Sequence, residues 1–193
     1  LNFGLLYQVL LETASRQIRE WEKIHSVSHS CRPGCPHCCK LPIAIGHMEA
    51  LILQAYLKDQ KLNGYFPRID KTATYISNEL PPPPMSGTEE EIENFMEVYF
   101  SKNIPCPLWE NGRCAVYPVR PIICATYYYY GDSKACRLQA TPPLGFQFQS
   151  IRNWLLMKMA SFCRKNTGRI PPELFYPELN LLPLALSGGV KQI

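Results

Sequence analysis

Nine cysteines stand at 31, 35, 38, 39, 106, 114, 124, 136 and 163, and four of them fall within CRPGCPHCC, together with His37. Two chemistries compete for such a density of thiols: a disulfide framework or a soft metal held by thiolates. The odd total and the adjacent Cys38–Cys39 pair argue against disulfides, and the chain has no basic leader segment with a small-residue cleavage site. A cytoplasmic, reducing setting is therefore expected, and there clustered thiols point to metal.

The thiols form two sets. Cys31-x3-Cys35-x2-Cys38-Cys39 lies on one loop, and Cys106-x7-Cys114-x9-Cys124-x11-Cys136 is spread over more chain, with residues 40–105 between the sets. Closing that intervening loop costs an entropy that grows slowly with its length, so metal binding would be coupled to folding. Only Cys35-Pro36-His37-Cys38 has the spacing of a zinc knuckle. Iron–sulfur clusters take four thiolates and tolerate varied spacings. On an extended backbone adjacent side chains diverge, which would send Cys38 and Cys39 to different sites or to a polynuclear one. An iron–sulfur centre, with 4Fe-4S preferred, is therefore expected ahead of zinc. The metal ligands expected are Cys31, Cys35, Cys38, Cys39, Cys106, Cys114, Cys124 and Cys136; a catalytic group is not visible.

Lys40, Arg113, Arg120 and Arg137 lie near these cysteines, where they would either offset thiolate charge or be solvated surface charge. Cys163 falls on a helical stripe and reads as a buried structural cysteine. His25, His29, His37 and His47 crowd the first set, and His37, inside the loop, is the best placed of them to ligate. Tyr127 to Tyr130 read as packing in a half-buried segment. Cys31-x3-Cys35-x2-Cys38 also has the spacing of a radical S-adenosylmethionine cluster loop, but the strand–helix alternation of that barrel is missing.

The elements that must position these residues are mainly helical. Residues 3–27 form an amphipathic stripe of Tyr7, Leu10, Leu11, Ala14, Ile18 and Trp21. LPIAI at 41–45 reads as extended. Gly46 opens a helix with Met48, Leu51, Ile52, Ala55 and Tyr56 on one face, and 66–79 reads as a further helix. PPPPMSG at 81–87 is a stiff connector. Thr88-x-x-Glu91 is a capping box, with Ile92, Phe95, Met96 and Tyr99 as the buried face. Residues 106–117 suit a hairpin turning at Asn111-Gly112. Pro121 starts a short helix with Cys124, residues 147–165 form a helix through Ile151, Trp154, Leu155, Met159, Phe162 and Cys163, and the proline-rich tail reads as irregular. The fold expected is mainly α: one domain over 1–193, organised around a cysteine-ligated metal site, with a cysteine core at 31–136 on which the 3–27 and 147–165 helices pack.

Charge and hydropathy narrow the function. The chain carries a formal net charge of +4 without a dense Lys/Arg block, so nucleic-acid binding is not expected. It has no apolar run of about 18 residues, so no membrane span is expected. A protein partner is compatible with the composition but not identified by it.

CRPGCPHCC followed by CPLWENGRCAVYPVRPIIC, with Cys136 further on, resembles the YkgJ-type cysteine-cluster family, described as a zinc- or iron-chelating domain. The likeness covers about residues 31–136 and rests on the cysteine set, Gly112-x-Cys114, Tyr117 and Arg120-Pro121. It implies metal chelation by the eight matching cysteines, with Tyr117 and Arg120-Pro121 shaping the second set. That family often has Arg after the cysteine of the Arg-Pro segment, where this chain has Ala125. One branch is similar to the flagellin lysine N-methylases, whose chains are longer. Three functions follow as expectations: a metal-binding protein with a structural or redox role, a methyltransferase-like modifying enzyme using the cluster, or an accessory protein that delivers metal or assists assembly.

Overall fold

The computed structural model describes residues 3–32, 34–84, 87–131, 145–168 and 180–187. Helix α1 (Phe3–His25) buries Tyr7, Leu10, Leu11, Ala14 and Ile18, the stripe expected from the 3.6-residue period. One position differs. Ile18 plus one turn is Glu22, and Glu22 is the buried residue while Trp21 stays half-buried. The helix stops two residues short of the expected 27, because Ser26 turns left-handed (φ 53°) and Val27 N–H reaches back to the Glu22 carbonyl at 3.1 Å, which ends a helix as a C-terminal cap does.

Strand β1 (Ala44–Ile45) and helix α2 (His47–Asp59) follow. The residues that α2 buries are Ala50, Ile52, Leu53 and Leu57, so the expected face keeps Ile52 but not Met48, Leu51, Ala55 and Tyr56, and is displaced by part of a turn. Those four, with Leu5 of α1, instead line an open groove between α1 and α2. Helix α3 (Tyr65–Glu79) buries Ile69, Ala73 and Ile76, and α4 (Glu89–Ser101) buries Phe95 and Tyr99 but leaves Ile92 exposed. The capping box that starts α4 is formed: Glu91 N–H donates to Thr88 Oγ1 at 3.3 Å and Thr88 N–H to Glu91 Oε2 at 2.7 Å.

Strands β2 (Trp109–Glu110) and β3 (Arg113–Cys114) pair as a hairpin, Trp109 opposite Cys114. Asn111 and Gly112 both take positive φ, 49° and 74°, as a two-residue turn matched to strand twist requires. Pro121 precedes α5 (Ile122–Thr126), which runs into β4 (Tyr127–Tyr129), paired antiparallel with β5 (Gly145–Gln147). Helix α6 (Gln149–Thr167) lies two residues later than the expected 147–165 and buries Leu155, Met159, Ala160 and Cys163.

The tail is more regular than expected. Strand β6 (Asn180–Leu181) pairs antiparallel with β1, and helix α7 (Leu182–Ser187) packs on α2 and α3. Pro183 does not prevent this, since in a first helical turn the missing N–H would have had no partner. The larger core joins α1, α2, α5, α6 and α7 with Leu108, Val116 and Val119. A smaller one joins Ile76, Leu80, Phe95, Tyr99, Ile104 and Leu181. The described chain is mainly helical, and none of its helices is long and apolar enough to cross a membrane.

Candidate metal centre

The first cysteine loop leaves the end of α1 and is fastened at both sides. Ser30 N–H donates to the Tyr129 carbonyl at 2.7 Å, and Tyr129 N–H donates to Cys31 Sγ at 3.4 Å. At the other end Cys106 N–H donates to the Cys39 carbonyl at 2.7 Å, and Lys40 Nζ donates to Asn103 Oδ1 at 2.8 Å. Between these points Gly34, at φ 82°, passes so close to the hairpin turn that a Cβ there would lie 3.3 Å from the Gly112 carbonyl oxygen. The two cysteine segments, far apart in sequence, therefore lie against each other.

Cys38 and Cys39 sit on a single 3₁₀ turn, His37–Lys40, rather than on extended backbone. The extended backbone on which their divergence was expected is absent here, and the two thiols bear on each other's ionisation. Cys106 and Cys114 flank the hairpin, and Cys124 lies on α5. Nearby backbone amides favour the thiolates as well, those of Leu108 and Trp109 at Cys106 and that of Val116 at Cys114. Amides directed at sulfur are how a protein offsets thiolate charge at a metal. Trp109, opposite Cys114, has a buried indole N–H with no hydrogen-bond partner among the described residues, a spare donor beside the thiols.

These thiols act on one another, with Cys38 at the hub. Burial and then the neighbouring charges of Cys38, Cys106 and Cys114 hold the Cys124 thiol well above its ordinary range. Burial, Cys114 and Cys38 push Cys106 up to about 12. Pairing with Cys38, and then burial, raise Cys39; the same pairing, helped by the Arg120 guanidinium, lowers Cys38. Burial also raises Cys114, against the Val116 N–H and Arg120, and raises Cys31, whose sulfur feels Cys38 and Cys35. Thiols that oppose each other's ionisation escape that repulsion by keeping their protons or by exchanging them for a cation. Among the described residues, no group of three or more His, Cys, Asp or Glu side chains is arranged to hold a metal ion.

The expected ligands divide accordingly. Cys38, Cys39, Cys106, Cys114 and Cys124 lie within electrostatic reach of one another, Cys31 feels Cys38 and Cys35, and Cys136 lies outside the described residues. Cys163 is buried on α6, as expected of a structural cysteine. Of the nearby cations, Arg120 acts on Cys38 and Cys114 and stacks 4.0 Å over the Tyr117 ring, Arg113 faces solvent, and Arg137 lies outside the described residues.

Two residues that shape the site have partners that no local sequence signal identifies. The Glu49 carboxylate accepts Ile122 N–H at 2.7 Å and Tyr7 O–H at 3.1 Å, so from α2 it caps the helix that carries Cys124. Glu22 accepts from His29 Nδ1 at 2.6 Å and from Tyr130 O–H at 2.8 Å, which fixes His29 and the start of the cysteine loop against β4. A buried carboxylate in an otherwise apolar stripe was the one available hint, since such a group must find partners.

No family model matches the chain, and neither does any curated protein or solved structure.

Proposed function

We propose that this chain is a cytoplasmic, cysteine-cluster metal-binding protein whose converging thiols hold an iron–sulfur centre, or zinc, in a structural or redox role. One observation carries the reading. The Cys106 N–H to Cys39 carbonyl bond of 2.7 Å joins the two cysteine segments, and around it sulfurs from the 3₁₀ turn, the hairpin and α5 bear on each other. Cys38, Cys39, Cys106, Cys114 and Cys124 are the ligands favoured, with Cys31, Cys35 and Cys136 as further candidates. The centre would supply charge neutralisation among thiolates and, if it is iron–sulfur, one-electron exchange. The chain's own part is to direct amide N–H groups and the Arg120 charge at sulfur, and to hold three separate elements together. The motif likeness to the YkgJ-type family agrees with this reading.

The deciding experiment is anaerobic purification followed by an absorption spectrum and assays for iron, zinc and inorganic sulfide. A broad visible band with iron and sulfide in stoichiometric amount supports the iron–sulfur form. Stoichiometric zinc in a colourless protein supports the zinc form. Protein that folds fully and binds neither metal overturns the proposal.

A further inference from the structure

We infer that the face on which the cysteine loops reach the surface docks an acidic protein partner; the inference takes its purpose, exchange with the centre, from the reading above. No Asp or Glu occurs from Ile24 to Met48 or from Asn111 to Gly131, while Arg32, Lys40, Arg113 and Arg120 do. The fold puts these two acid-free segments side by side, because Gly34 packs against the Gly112 carbonyl. Arg32 and Arg113, close to those two glycines in sequence, are exposed, and neither is paired with a carboxylate among the described residues. Lys40 binds only an amide oxygen, that of Asn103.

Among the described residues, the nearest carboxylates in sequence are already engaged. Glu110 takes Arg68 at 2.5 Å and Tyr65 O–H at 3.0 Å, and Glu22 takes His29 and Tyr130. Among the described residues no carboxylate is paired with Arg32, Lys40 or Arg113, so the rim near the thiols carries positive charge. Tyr117, 60% exposed beneath the Arg120 guanidinium, adds the Tyr–Arg type of anchor enriched at protein interfaces. A one-sign rim of this kind steers an oppositely charged partner into place. The cations are few and form no dense Lys/Arg block, which fits a cluster of carboxylates better than the repeating phosphates of nucleic acid.

The test measures fluorescence anisotropy of labelled poly-L-glutamate, with labelled oligo-dT as the competing class, at low and at raised salt. It compares the wild type with Arg32→Glu/Arg113→Glu and with a control reversal on the exposed outer face of α1, Arg16→Glu/Arg19→Glu. Metal and sulfide are assayed on each preparation. The proposal expects salt-sensitive poly-L-glutamate binding that falls about tenfold in the rim variant and changes less than about twofold in the control, with metal content unchanged in both.

Equal losses in the two variants, no binding by the wild type, or metal loss in the rim variant would overturn it. So would oligo-dT binding that is tighter and rim-dependent, or self-association of the wild type abolished by the rim reversal. Rim-dependent binding by a wild type that carries no metal would sink the metal reading and leave the docking surface standing.

Discussion

Glu49 and Ile122, on different helices, are joined by a 2.7 Å hydrogen bond from the Ile122 N–H to the Glu49 carboxylate. The same oxygen takes the Tyr7 phenol, and the Tyr7 hydroxyl also lies 3.2 Å from the Arg120 carbonyl. One side chain of α2 thereby sets α1 against the first turn of the helix bearing Cys124. Glu49→Ala strands a buried phenol and a helix N–H at once, and should cost about 2–4 kcal/mol. The urea unfolding midpoint reads this, and metal content should fall with it; an unchanged midpoint would show that the bonds do not matter.

Burial pushes the Glu49 carboxyl up, and the bonds from Ile122, Gly46 and Tyr7 only partly offset this. A carboxyl whose folded pKa lies above its unfolded one binds more protons when folded, so its contribution is full below the ordinary carboxylate value of about 4.3. That contribution is lost as pH rises through the raised value. Glu49→Gln removes the titration, so its stability relative to wild type should improve from acid toward neutral pH. Parallel urea series across that range check the slope; identical pH profiles would contradict it.

Glu22 behaves in the opposite sense. Burial would raise it, but the bonds from His29 and Tyr130 and the His29 charge outweigh burial and hold it below its ordinary value. Its stabilisation is present above the unfolded pKa and lost as pH falls through the depressed folded one. Glu22→Gln should cost about 1–2 kcal/mol at neutral pH, a gap that closes in acid. A gap that persists in acid would assign the effect to packing instead of charge.

Gly34 and Gly112 both hold left-handed φ, 82° and 74°, but only Gly34 also meets a neighbouring backbone atom. Gly112→Ala should cost about 1 kcal/mol from conformation alone. Gly34→Ala must in addition push the cysteine loop off the hairpin, so it should cost more and lower metal content, whereas Gly112→Ala should leave metal content intact. Thermal unfolding with metal analysis distinguishes the two.

Cys106→Ser and Cys124→Ser should each lose metal and much of the fold. Cys163→Ser, which changes a thiol on the buried face of α6, should keep its metal. Metal loss in the last variant would place Cys163 in the centre.

Local pattern was enough wherever one face or one turn decided the outcome. The α1 stripe from Tyr7 to Ile18, the Thr88–Glu91 box and the Asn111–Gly112 turn all follow from short-range rules and are present. Helix α2 was misread because HMEALILQAYL is apolar on more than one side, so periodicity alone does not say which side meets α7. For HCCK the backbone is a 3₁₀ turn and not the extended chain expected, a geometry that a pair of adjacent cysteines does not signal. Glu22 and Glu49 bond to Tyr130 and Ile122, more than seventy residues away in each case, a pairing that no local window contains. That the two cysteine segments lie together was inferred from chemistry, and the bond between Cys106 and Cys39 is the contact that joins them.

The clasp formed by β1 and β6 has a bearing on how the molecule is made. Leu182 N–H bonds to the Ile43 carbonyl at 2.7 Å, and Leu181, Leu182 and Leu186 fill space over α2 and α3. During synthesis these leucines leave the ribosome after every thiol has already emerged. The cysteine segments thus emerge before the leucines that complete the packing over α2 and α3, and the fold closes only when that late wedge arrives.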